Sequence, residues 1–303
     1  MSGGRGAGNP WGAEVMATGI VSVGLHLAGF LWAARVLLGL AAALWVALAV
    51  TFCALFGGAG RWREETSAPA ALTTVAGTGV LGDGVAMISR PVAAAVLLAL
   101  TAALWLALLP RVLGNLRWPV PGAAYMVTVA TQAVAVLAAT LAVELPARWL
   151  LWPSGAMLVL GLLLYVLVLA RFDFGELVGG AGDHWVVGGS LSISALAFAK
   201  VTLATDGPAP LAWGTLAVLA VALTWYAVLV VCEVLRPRTA YDARRWSTVF
   251  PLGMTAVAAM TAGRACGVPW LGTLGEALLW PAAVAWVVVA AGAVRHAVAS
   301  ASS

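Results

Sequence analysis

Thr18, Ser22 and His26 recur at four-residue spacing in the first apolar stretch of the chain, and every second stretch after it carries a similar series. These are Thr74 and Thr78 ahead of Gly79 and Gly82, then Thr128, Thr131 and Gln132, then Ser190 and Ser194, and finally Thr248 and Thr255. Residues three, four or seven apart share one helix face, so each series predicts a polar stripe. Hydroxyl and amide groups along a stripe can replace part of the water around a small solute. Their other use is structural, because small residues at this spacing let helices pack closely in a membrane. Recurrence on alternate stretches favours a conduit: polar stripes are unfavourable against lipid, and several of them most simply converge on a shared interior.

Ionisable groups inside the stretches add further chemistry. Asp83 and Lys200 fall about 20 to 24 Å along their helices, in the same half of a bilayer. An isolated charge at that depth is costly. One reading is therefore a buried ion pair, and the other an electropositive site at Lys200 for an anion, weakened to the extent that Asp83 neutralises it. His26 is a candidate proton site, since imidazole titrates near neutrality; its alternative is a hydrogen-bonding residue at a helix end. Glu14, Glu233 and Glu276 lie near stretch ends, where carboxylates reach headgroups or water, and the helix dipole favours Glu276 near a helix start. Phe250 and Pro251 stand just inside the ninth stretch. An aromatic there is by default packing or interface material, while the proline removes an amide and bends its helix.

Other chemistry is excluded on spacing. Gly77 to Gly82 reads G-T-G-V-L-G, a literal dinucleotide fingerprint, yet it lies within an apolar stretch and opens no βαβ unit. His26, His184 and His296 form no metal motif, no nucleophile elbow is present, and Cys53, Cys232 and Cys266 are scattered. The expectation is a protein that is not an enzyme and has no cofactor or metal. A net charge of +4 needs no nucleic-acid partner, because the arginines map to the loops.

The elements that must position these residues follow from composition. Apolar residues make up 63% of the chain, charged residues 9%, and the mean hydropathy is +1.01. Apolar stretches of about twenty residues match the thickness of a bilayer. Ten spans are expected, at roughly 11–29, 31–57, 70–89, 92–113, 120–142, 149–170, 184–203, 209–235, 246–264 and 270–294, in a single domain over 1–303. Short links join them in pairs, which predicts five helical hairpins with the stripe-bearing odd helices as an inner ring around a pore. The even helices, rich in Leu, Val, Ala and Trp, form a lipid-facing outer ring. Arg5, Arg61, Arg63, Arg111, Arg117, Arg171, Arg236, Arg238, Arg244, Arg245 and Arg295 fall on the side of the termini, against Arg90, Arg148 and Arg264 opposite. The positive-inside rule makes both termini cytoplasmic, in a plasma membrane. The link from Arg171 to Trp185 reads as an amphipathic connector with Phe172, Phe174 and Trp185 at the interface.

M-A-T-G-I-V-S from Met16 to Ser22, the ten-span plan, and W-S-T-V-F-P-L-G-M from Trp246 to Met254 together resemble the tellurite-resistance/dicarboxylate transporter family. That family includes bacterial tellurite-resistance protein A, fungal sulfite and malate transporters, and plant slow anion channels. The resemblance implies an all-α membrane protein with a pore inside each protomer, usually three protomers per assembly, and a small anion as substrate. It further implies that Phe250, beside Pro251, plugs the pore, and it matches His26 to a histidine of the fungal transporters. The functional expectation is anion passage gated by an aromatic residue. Its alternatives are a proton-coupled carrier or exporter of dicarboxylate, sulfite or tellurite, and, from another class, a membrane scaffold or sensor that transports nothing.

Overall fold

The computed structural model describes residues 11–54, 66–117, 119–180, 182–238 and 241–301. Among them are ten long helices: α1 Trp11–Leu27, α2 Leu31–Ala54, α3 Leu72–Met87, α4 Pro91–Asn115, α5 Met126–Glu144, α6 Leu151–Leu169, α7 Val186–Ala204, α8 Ala209–Leu235, α9 Trp246–Ala265 and α10 Pro269–Ala301. No strand occurs among the described residues, only a bridge between Val120 and Phe172. The last helix runs seven residues past the expected end at 294, because Ala297, Ala299 and Ala301 continue a favourable helical sequence. Arg5, Arg61 and Arg63, used above for orientation, lie outside the described residues.

Eight of these helices are long and apolar enough to cross a membrane: α2 to α8 and α10. α1 is shorter, and α9 is not among the eight. α9 carries Ser247, Thr248, Gly253, Thr255, Thr261, Gly263 and Arg264, which dilute its apolar character. Both helices are nevertheless wrapped by others. α1 packs on α3, α3 on α5, α5 on α7, α7 on α9, and α9 back on α1, closing a ring. α2, α4, α6, α8 and α10 each pack on the helix before them and also touch the next ring helix, with α10 reaching back to α1. Almost every residue of α5 and α7 is buried, whereas α4, α8 and α10 keep most of their surface exposed. Polar residues are thus tolerated on the ring helices because protein, not lipid, surrounds them.

The hairpins are tight where the backbone can reverse. Gly29 (φ 88°) stands between α1 and α2, and Asp206 and Gly207 (φ 58° and 71°) between α7 and α8. Left-handed backbone is the conformation that glycine adopts without penalty. Pro91 and Pro269 open α4 and α10, where a missing amide costs nothing. At Gly275 α10 approaches α9 so closely that a Cβ would sit 2.6 Å from the Ala256 carbonyl oxygen.

The face where α1 begins and α10 ends carries Arg117, Arg171, Arg236, Arg238, Arg244, Arg245 and Arg295, and is called the basic face below. Arg35, near the start of α2, joins Arg90, Arg148 and Arg264 on the opposite face. The Arg171 to Trp185 link is not the interfacial connector expected. Phe172 is buried, with its ring 5.5 Å from Tyr125 and 5.2 Å from Phe174, and Trp185 is buried as well. Only Phe174 is exposed as anticipated. The two backbone bonds of the Val120 bridge, Val120 N to Arg171 O and Asp173 N to Val120 O, pull the link onto the protein.

Candidate functional site

The ring helices enclose a cavity of about 10 Å³ to which all five contribute: Ile20 and Val23 of α1, Gly79, Val80 and Asp83 of α3, Ala133 and Val136 of α5, Ile193 and Leu196 of α7, and Met254 of α9. A void with one wall from every ring helix lies on the axis of the ring. Its size is near the least a single water needs, and its walls are apolar except at Asp83. Four of the five helices contribute a pair of wall residues three apart, such as Ile20 and Val23 or Ile193 and Leu196. That pairing is the signal the sequence carries for the walls of this void.

The hydroxyls point elsewhere. Trp286 of α10 donates to Thr18 at 3.0 Å, Trp45 of α2 to Thr78 at 2.9 Å, and Trp105 of α4 to Thr131 at 2.9 Å. Ser22 donates to the Ala34 carbonyl of α2, and Gln132 to the Leu158 carbonyl of α6. Thr18, Ser22, Thr78, Thr131 and Gln132, expected on the inner face, thus join ring to sheath, and none of them lines this void. The physical reason is the indole N–H, which needs an acceptor once it is buried in an apolar layer. The outer helices correspondingly turn Trp45, Trp105 and Trp286 inward and do not present them to lipid. Thr78 passes its own proton to the Thr74 carbonyl, while the Thr74 side chain stays buried. Ser190 and Ser194 bond carbonyls of α7, and Thr255 shares a 2.7 Å bond with Ser192, tying α9 to α7. Thr128 has a buried hydroxyl with no hydrogen-bond partner.

Asp83 and Lys200 are brought together. Lys200 Nζ stands 3.3 Å from Asp83 Oδ1, and Thr140 of α5 donates to the same oxygen at 2.6 Å. Asp83 is nearly buried, whereas the Lys200 side chain is 18% exposed, so the cation is the more accessible partner of the pair. Thr140 was not anticipated; it lies on α5, the ring helix between those of the two charges, and carries no motif of its own.

Phe250 is 1% exposed and lies four residues before Met254. Residues four apart share a face, so Phe250 lies on the same face of α9 as Met254, one turn nearer the basic face. Phe250 is the fifth residue of α9, about 6 Å along the helix. α9 continues through Pro251, whose ring is accommodated by Gly189 of α7: a Cβ at Gly189 would sit 2.7 Å from Pro251 Cγ. Pro251 has no amide to close the first turn of α9, which leaves the backbone beside Phe250 with one bond fewer.

His26 is not part of this cluster. It lines a separate small recess with Ser22, Arg35 and Gly84, and Arg35 and Arg264 are its charged neighbours. Glu233 accepts from Arg238, Arg245 and Trp185 near the end of α8. Glu14 is partly buried in the first turn of α1. Glu276 lines an open recess of about 350 Å³ with Arg264 on the opposite face, two turns into α10. Among the described residues no group of three or more His, Cys, Asp or Glu side chains could hold a metal ion.

A family model described as voltage-dependent anion channel (SLAC1) matches residues 9–294 of the chain. Two proteins named as uncharacterized membrane proteins of Mycobacterium tuberculosis, from strains CDC 1551 and H37Rv, are each 29% identical over 153 residues, covering 47% of this chain and 74% of the relative.

Proposed function

The chain belongs to the voltage-dependent anion channel family, which is the tellurite-resistance/dicarboxylate transporter family, and on that premise we propose that it conducts small anions through the axis of its own helical ring. It is a multi-pass membrane protein. In the proposed arrangement all ten long helices cross the bilayer as five hairpins, with α1 and α9 spanning although they fall short by length or composition, because the ring shields them from lipid. Both termini are cytoplasmic in this reading, and three protomers assemble as the family resemblance implies.

The observation that carries the proposal is the axial void bounded by all five ring helices, with Asp83, the partner of Lys200, on its wall. An apolar constriction the width of one water excludes ions by dewetting, so the conduit described here is closed. Phe250 is the proposed movable part: one rotamer change beside a proline-weakened turn withdraws its ring from the axis. Lys200, held by Asp83 yet partly exposed, supplies the positive field for an anion reaching the constriction.

A proton-coupled carrier is the second reading, favoured by one feature, that Asp83 is the one carboxylate on the wall of the void. The two readings separate in liposomes containing the purified protein. Conduction predicts downhill flux of chloride and nitrate that follows voltage and is unaffected by a pH gradient. Accumulation of sulfite, tellurite or malate against its own gradient, driven by protons, would overturn the channel reading.

A further inference from the structure

On the basic face, a groove of about 630 Å³ runs between α8, α9 and α10, and we propose that it binds one anionic phospholipid of the adjoining leaflet. The premise is only that these helices lie in a membrane; nothing in it depends on whether solute crosses the ring. The walls are apolar and open outward: Val234 of α8 is 73% exposed, and Val284 and Val288 of α10 are 62% and 60% exposed. An acyl chain fits such walls, whereas a free phosphate has no use for them.

The end toward the basic face is polar and cationic, with Arg238, Arg245 and Arg295 lining it. Glu233 accepts from Arg238 and from Arg245 and so offsets one of the three charges. Arg295 hydrogen-bonds only the Ala291 carbonyl of its own helix, leaving its cation without a carboxylate among the described residues. Two polar atoms on residues of this groove, Arg238 Nη2 and Thr248 Oγ1, are buried without a protein hydrogen-bond partner. A phosphate diester offers anionic acceptors for the first and an acceptor for the second, and basic pockets between membrane helices recognise anionic headgroups in this way. The back wall is α9 itself at Val249, the residue before Phe250, so an occupying lipid would bear directly on the proposed gate helix.

The test is native mass spectrometry of the intact protein incubated with phosphatidylglycerol or phosphatidylcholine of matched chains. The expected result is preferential retention of phosphatidylglycerol. Arg295→Gln lowers that retention about fivefold, the effect of one arginine near an anionic surface, without changing phosphatidylcholine. Val284→Trp, which fills the groove without touching a charge, removes the retained lipid, while thermal unfolding confirms that each variant is folded. Equal retention of the two lipids, or retention insensitive to both substitutions, overturns the proposal. So does displacement of phosphatidylglycerol by millimolar inorganic phosphate, which would mark a phosphate site, or loss of oligomer in Val284→Trp with no lipid held by the unaltered protein, which would place a second copy in the groove.

Discussion

Phe250→Ala raises anion flux through reconstituted protein by about tenfold or more, corresponding to a barrier lower by roughly 1.4 kcal/mol. Phe250 lies on the Met254 face of α9, one turn from a void that admits about one water, and as the proposed gate its ring is the obstacle that the substitution removes. The belt formed by Ile20, Val80, Ile193 and Met254 remains, and that belt keeps the increase finite. Truncating a buried phenylalanine also costs stability, typically about 3 to 5 kcal/mol, so flux is compared per folded protein, with Phe250→Leu as the intermediate case. Flux equal to that of the unaltered protein in folded Phe250→Ala removes Phe250 from the gate.

The second large effect concerns the charged pair, whose two single substitutions should act in opposite directions. Lys200→Met strands the Asp83 carboxylate in a nearly dry site with only Thr140 as donor, which costs about 3 to 5 kcal/mol and abolishes anion flux. Asp83→Asn keeps an acceptor for Thr140 and leaves the lysine as the uncompensated charge beside the void, so anion flux rises and selectivity over cations sharpens. The double substitution recovers much of the stability lost in Lys200→Met, because neither charge is then unpaired, but passes anions less well than Asp83→Asn alone. Thermal unfolding in detergent and flux in liposomes read the two effects separately. Equal losses of flux in both single variants would make the pair a structural tie and no part of the anion path.

Much of this architecture was legible because membrane helices announce themselves by length and by what interrupts them. Gly29, Gly207 and Gly267 mark hairpin turns, and the arginine-rich links mark one face, so boundaries fell within a few residues for most helices. The alternation of ring and sheath had a related signal: hydroxyls and glycines are concentrated where protein covers them, although Gly39, Thr51 and Thr224 stand exposed on sheath helices. What those hydroxyls bond to was not legible. Thr78 looks the same in sequence whether it faces an ion or Trp45, and the choice depends on an indole 33 residues away on another hairpin. The walls of the axial void are mostly apolar residues, which a search for polar chemistry passes over. Asp83 and Lys200 were placed at matching depth by counting residues, yet Thr140, which completes their site, required the register of α5 against α3. Phe172 and Trp185 were misplaced because an aromatic in a link suits an interface and a core equally well until the link's backbone bonds are known.

In the proposed function the ring axis is the anion path and Phe250 closes it. Its most direct test places one cysteine at Ile193, on the wall of the void, in protein whose Cys53, Cys232 and Cys266 are serine, and measures reaction with a negatively charged, membrane-impermeant thiol reagent while flux is recorded. The expected result is no labelling with Phe250 present, and labelling that blocks flux once Phe250→Ala is added. Failure to label the folded double variant, or labelling that leaves its flux unchanged, would contradict it.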